Sequence, residues 1–212
     1  MKKIHIFDLD GTLVNSMPYY SRGILQVLDE EGIGYEPDFI EILTPLGYTK
    51  SAQLYQTMGV PGTVADIVGR IQTILHHEYA HNIGLKPGVD AYLRKLKADD
   101  CTLCVLTASP HLVTDVCLQH NGIYDLFDQV WSVEDFGMSK SEAIIYDEVV
   151  RRLGCAKEDI CFYDDNLTAV STAVKSGWYT CAVNDGQSEE ITTALKAAAD
   201  EYIVSFSNLV SG

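Results

Sequence analysis

The sequence predicts an α/β protein in which a doubly wound parallel sheet carries an inserted unit made of helices. Three observations predict it: short apolar runs recur along the chain, helix-like segments alternate with them, and one long stretch contains no strand-like run.

Residues 3–7 form a short, mostly apolar run that ends at an aspartate, the pattern of a buried strand. From residue 15 to about residue 83 no strand follows. Helix-like stretches near 18–31, 37–44, 50–58 and 63–81 are separated by Gly and Pro, with Pro61-Gly62 and Lys86-Pro87-Gly88 as turn punctuation, which predicts a bundle of about four short helices. Then strands and helices alternate: helix 89–97, strand 101–106, helix 110–121, strand 129–132, helix 141–153, strand 160–163, helix 168–176 and strand 180–183. Parallel neighbours need crossovers of this kind, so the helices are expected on both faces of the sheet. The expected organisation is an α/β core of residues 1–14 and 84–212 with a helical insertion at 15–83.

A chain of 212 residues, 47% of them hydrophobic, supports one sizeable core with a small accessory unit. The first residues reach Asp8 too early for a signal peptide, and no stretch approaches ~18 consecutive apolar residues, so a soluble cytoplasmic protein is expected. All six cysteines are expected to be reduced, and Cys101-x-x-Cys104 lies along one predicted strand, where core filling is the better reading. A net charge of −15 repels nucleic acid and anionic membranes, and it repels phosphate as well. Any phosphate site here therefore needs local positive charge from a metal ion or a few placed cations.

In Phe7-Asp8-Leu9-Asp10-Gly11-Thr12, two carboxylates at i and i+2 follow the first strand and fall on one side of an extended chain. Paired carboxylates at a strand's C-terminal end suit a hard cation, and open parallel sheets bind ligands at that edge. An ordinary acidic loop would look the same. Thr107 ends a second strand just before Ala108-Ser109-Pro110 and a helix start, which makes either an anion site or a cap. Lys140, in Gly137-Met138-Ser139-Lys140-Ser141, alone reads as a surface lysine. Asp164-Asp165 end a third strand and repeat the acidic theme.

Taken in order, D-x-D-G-T, Thr107, Lys140 and Asp164-Asp165 resemble the haloacid dehalogenase-like superfamily over roughly residues 4–185, with F-D-L-D-G-T-L-V the most specific segment. The Pro often found beside the family lysine is missing at Lys140. The resemblance implies a Mg²⁺-dependent phosphatase that acts on a small phosphomonoester. Asp8 would be the nucleophile and form an aspartyl-phosphate, with Asp10 as general acid and base. Mg²⁺ would sit on Asp8, the Asp10 carbonyl and Asp165, with Asp164 adjacent. Thr107, the Ala108 N–H and Lys140 would hold the phosphoryl group, with Lys140 also pairing the carboxylates. The insertion resembles the family's helical C1 cap, which favours small substrates over proteins. Tyr19, Tyr20, Arg22, Tyr48 and Lys50 are its candidate substrate residues, Lys50 resembling a cap position for the substrate's distal group. A monomer whose partner is a small phosphorylated metabolite is expected.

A sugar-phosphate mutase of the β-phosphoglucomutase type is the main alternative. That branch is expected to carry a cap histidine ten residues after the second Asp, where this chain has Tyr20. A 2-haloacid dehalogenase has no need of Asp10 or of a metal. A receiver-like signalling domain reverses the order of the acidic pair and the acceptor Asp, and a non-catalytic phospho-ligand binder would not need every catalytic position filled. His77-Glu78-Tyr79-Ala80-His81 matches a zinc-protease pattern, with His76 beside it, but has no evident third ligand; surface or packing is the better reading.

Overall fold

The computed structural model describes residues 2–44 and 46–210. Six strands, β1 (Ile4–Phe7), β2 (Thr102–Thr107), β3 (Gln129–Ser132), β4 (Ile160–Asp164), β5 (Tyr179–Val183) and β6 (Glu201–Ile203), form one sheet in the order β3-β2-β1-β4-β5-β6. Every neighbouring pair is parallel. The chain winds outward from β1 first to one side and then to the other, so the switch point lies where β1 pairs with both β2 and β4. There Phe7 is level with Val105 and with Tyr163, which sets Asp8, Thr107 and Asp164 at the C-terminal ends of three adjacent strands.

Strand alternation sorts the core onto two faces. Ile6, Cys104, Leu106 and Phe162 point to one face and pack with Trp178, with Tyr146 and Val149 of α7 (Ala143–Leu153) and with Ala169 and Ala173 of α8 (Leu167–Lys175). Phe7 and Tyr163 point to the other, with ring centroids 4.3 Å apart, against Tyr92 of α5 (Val89–Ala98) and Phe206. The remaining crossovers are α6 (His111–His120) and α9 (Glu189–Ala198); α10 (Ser207–Val210) follows β6. The three-residue β6 and the helices beside it have no counterpart in the sequence expectation, because only Ile203 of that strand is buried and three residues carry no readable period. Strand β2 begins one residue later than expected, leaving the buried Cys101 just before it, and runs on to include Thr107.

The chain divides into two compact units, one running up to Asn15 and resuming at Gly84, the other spanning Ser16–Ile83. The second contains α1 (Met17–Glu30), α2 (Phe39–Leu43), α3 (Gly47–Met58) and α4 (Val64–His81). α4 is its centre and packs on both α1 and α3. Thr63 caps α4 by accepting from the Asp66 N–H while Asp66 accepts from the Thr63 N–H, and Ile67, Ile71, Leu75 and Tyr79 then bury one stripe at helical spacing. Tyr55 donates to the Ile24 carbonyl at 2.6 Å, tying α3 to α1. Among the described residues no helix is long and apolar enough to cross a membrane.

Candidate active site

Asp8 extends β1 by donating its backbone N–H to the Tyr163 carbonyl at 2.9 Å, which fixes the direction of its side chain. The next residues turn sharply: the N–H groups of Thr12, Leu13 and Val14 converge on the Leu9 carbonyl, and Gly11 takes φ +72°. A Cβ at Gly11 would lie 2.6 Å from a carboxylate oxygen of Asp165, and this close contact together with the positive φ favours glycine where the β1 loop meets the β4 loop.

Lys140 joins the two strand ends. Its ammonium donates to Asp8 Oδ1 at 2.5 Å and to Asp164 Oδ2 at 2.7 Å. The lysine is 9% exposed, against the surface position its sequence surroundings suggest. Its backbone is anchored from below, where the buried Tyr146 hydroxyl reaches the carbonyls of Lys140 and Ala169. Burial works against the ammonium's charge, but Asp164 and Asp8 outweigh it and hold the lysine pKa above its ordinary value. Asp8 is pushed well above the carboxylate range, chiefly by burial; Lys140 opposes the shift, and the neighbouring aspartates add to it.

Asp164 is fully buried, and its other oxygen accepts the Asn166 N–H at 2.8 Å. Asp165 is pushed up to about 7 by burial and by the charges of Asp164 and Asp185. Asp8, Asp164 and Asp165 each offer a carboxylate oxygen, and these oxygens all lie within 4.8 Å of one another. When ionised, three carboxylates against one ammonium leave two negative charges over, and an all-oxygen donor set of that charge fits a hard divalent cation. Asp10 stands outside this set. Its carboxylate instead accepts the Ser109 hydroxyl at 2.6 Å. Thr107 is buried, and its hydroxyl oxygen accepts the Ser109 N–H at 3.0 Å, while Ala108 is exposed beside it.

Asp8, Asp10, Thr107, Ala108, Lys140, Asp164 and Asp165 thus all lie at the C-terminal edge of the sheet in the first unit. Lys50 is exposed on α3 of the second unit. On α4, His77 and His81 are exposed with ring centroids 4.8 Å apart, and Glu78 accepts from Asn82. Among the described residues the aspartate set is the only cluster of three or more metal-type ligands. Two side chains of this region are not foreseen in the sequence: Ser109, which reads as helix-start punctuation, and Lys86, which reads as turn punctuation. The i+2 spacing of Ser109 from Thr107 is a weak pointer to the first; nothing local points to the second.

The profile of the haloacid dehalogenase-like hydrolases matches residues 5–183. A phosphoglycolate phosphatase from Cereibacter sphaeroides is 26% identical over 168 residues, covering 73% of this chain and 77% of that protein. An (S)-2-haloacid dehalogenase from Pseudomonas putida is 29% identical over 110 residues, 52% of this chain and 48% of that one. The solved structure of CbbY from Rhodobacter sphaeroides in complex with phosphate superposes with a TM-score of 0.80 at 21% identity, over 99% of this chain and 96% of its own. With its strand order and its profile match across most of the length, the chain belongs to the haloacid dehalogenase-like hydrolase family and is an enzyme of that family.

Proposed function

We propose that the protein is a Mg²⁺-dependent phosphatase of small phosphomonoesters, with Asp8 as nucleophile and the helical second unit as its cap. The observation that carries this reading is the pair of aspartates on one strand end with separate partners: Asp8 is held by Lys140, and Asp10, two residues on, by Ser109. A dehalogenase needs the first carboxylate only. The similarity to phosphoglycolate phosphatases and to a phosphate-binding neighbour supports the same choice and makes phosphoglycolate the first substrate to try.

In the first step an Asp8 carboxylate oxygen attacks phosphorus, the ester P–O bond breaks, and Asp10 gives its proton to the departing alcohol oxygen. Asp10, now a carboxylate, takes a proton from a water that attacks the same phosphorus, which releases inorganic phosphate and frees Asp8. Ser109, donating to Asp10, fixes the direction of the carboxyl between the two steps. Lys140 and Thr107 hold phosphoryl oxygens, so that the charge of the transferring group meets positioned donors. Asp8, the Asp10 carbonyl and Asp164 or Asp165 would hold Mg²⁺, which when bound would supply the positive charge that lets an anionic ester approach an anionic nucleophile.

The test is hydrolysis of p-nitrophenyl phosphate with Mg²⁺, followed by a panel of small phosphate esters with product analysis. Asp8→Asn is expected to lower turnover by about a thousandfold or more while the circular dichroism spectrum stays that of the wild type. Retained turnover in that variant, or halide release from 2-haloacids in place of phosphate release, overturns the reading. Isomerised sugar phosphate without free phosphate would assign the same residues to a mutase.

A further inference from the structure

We propose that Lys86 is a positioning residue for the cation side of this site, one largely buried ammonium that ties the Gly11 carbonyl to the loop leaving β5 and so holds Gly11 and Asp165 in register. The inference rests on the phosphatase reading above and extends it to a residue outside the strand-end motifs.

The Lys86 ammonium has three donors, and all three are used: the Gly11 carbonyl at 2.6 Å, the Asn184 carbonyl at 2.6 Å and Asp185 Oδ1 at 2.8 Å. Its side chain is only 14% exposed, and that of Asp185 only 12%. A lysine withdrawn from water this far, with every hydrogen placed, is held in one conformation and resists movement of what it holds.

Both ends of this clamp lead to the aspartates. At one end the bonded carbonyl belongs to Gly11, next after Asp10, so fixing it fixes the turn that orients the Asp10 peptide. At the other end the Asp185 N–H donates to Gln187 Oε1 at 2.8 Å, and Gln187 Nε2 donates to the Asp165 carbonyl at 3.2 Å and to the Val183 carbonyl at 3.3 Å. The run Gly11–Lys86–Asp185–Gln187–Asp165 thus closes on itself, because Gly11 faces the Asp165 carboxylate with no room for a Cβ between them. Partners that orient metal-binding groups from behind typically change metal affinity by about 10–100-fold when removed.

The experiment is calorimetric titration of Mg²⁺ into metal-stripped wild type, Lys86→Met, Lys86→Arg and Asp185→Asn, alongside kcat and KM for p-nitrophenyl phosphate. Lys86→Met is expected to weaken Mg²⁺ binding about tenfold and to lower kcat at fixed Mg²⁺ with KM changed less than about twofold. Lys86→Arg is expected to recover most of the affinity. Asp185→Asn, a neutral isostere that leaves the lysine in place, is expected to weaken binding in the same direction and carries the test if Lys86→Met does not fold. Folded variants with wild-type Mg²⁺ affinity and kcat, whatever their melting temperature, overturn the proposal. The two readings fail separately: wild type that binds Mg²⁺ but hydrolyses no phosphomonoester sinks the phosphatase assignment, and the calorimetry still decides Lys86.

Discussion

Lys140 is a single cation shared by two buried carboxylates that face each other across the β1–β4 switch point. Removing it leaves Asp8 and Asp164 without a counter-charge, and breaking a buried pair in this way costs about 3–5 kcal/mol. Lys140→Met is therefore expected to lower the urea midpoint of the metal-free protein, and Mg²⁺ is expected to restore part of the loss in the variant while adding less to the wild type. Equal Mg²⁺ stabilisation of both proteins would mean that the ammonium and the cation do not share the same carboxylates. At this scale the sequence was informative where chemistry is local. Asp8 and Asp10 stand two residues apart at the end of an apolar run and can be singled out as candidates there, whereas Lys140 is an ordinary lysine until its place in the order of strand ends is considered.

At the scale of elements, His111 links the first turn of α6 to the segment between β3 and α7 that carries Lys140. One ring nitrogen lies 3.0 Å from Asp115 and the other 2.9 Å from Asp135, whose carboxylate also accepts the Ser132 N–H. The hydrogen bonds to Asp115 and Asp135 raise the imidazole pKa above its ordinary 6.5. A raised histidine stabilises the fold in its charged form, so its contribution is complete below 6.5 and is lost as pH rises through the folded-state value. The wild type's urea midpoint is expected to fall as pH rises above about 6.5, and His111→Gln is expected to flatten that slope. An unchanged slope would show that the link contributes nothing. The helices and strands themselves were largely readable, since burial of alternate or every third and fourth residue leaves a period in the sequence. The edge strand β6 was not, because it buries a single residue.

At the scale of the whole molecule, a net charge of −15 makes the folded chain repel itself. Raising tetramethylammonium chloride from about 10 to 150 mM screens that repulsion, and a gain of about 1 kcal/mol would raise the melting temperature by about 2–4 °C. A fall with salt would mean that local ion pairs, such as Arg70 with Glu30 and Glu31, outweigh the net repulsion.

The sequence by itself determined the fold class, the strands that carry the site and the aspartates at their ends, because periodicity and strand-end position are properties of neighbours along the chain. Only the tertiary structure decided which groups meet. It gave the pairing of Lys140 with Asp8, which the resemblance implied, its geometry across 132 positions, set Ser109 on the Asp10 carboxylate, and turned Lys86 from a turn residue into a largely buried clamp on Gly11. The physical reason is that burial and charge pairing arise between segments distant in sequence, where no local pattern records them.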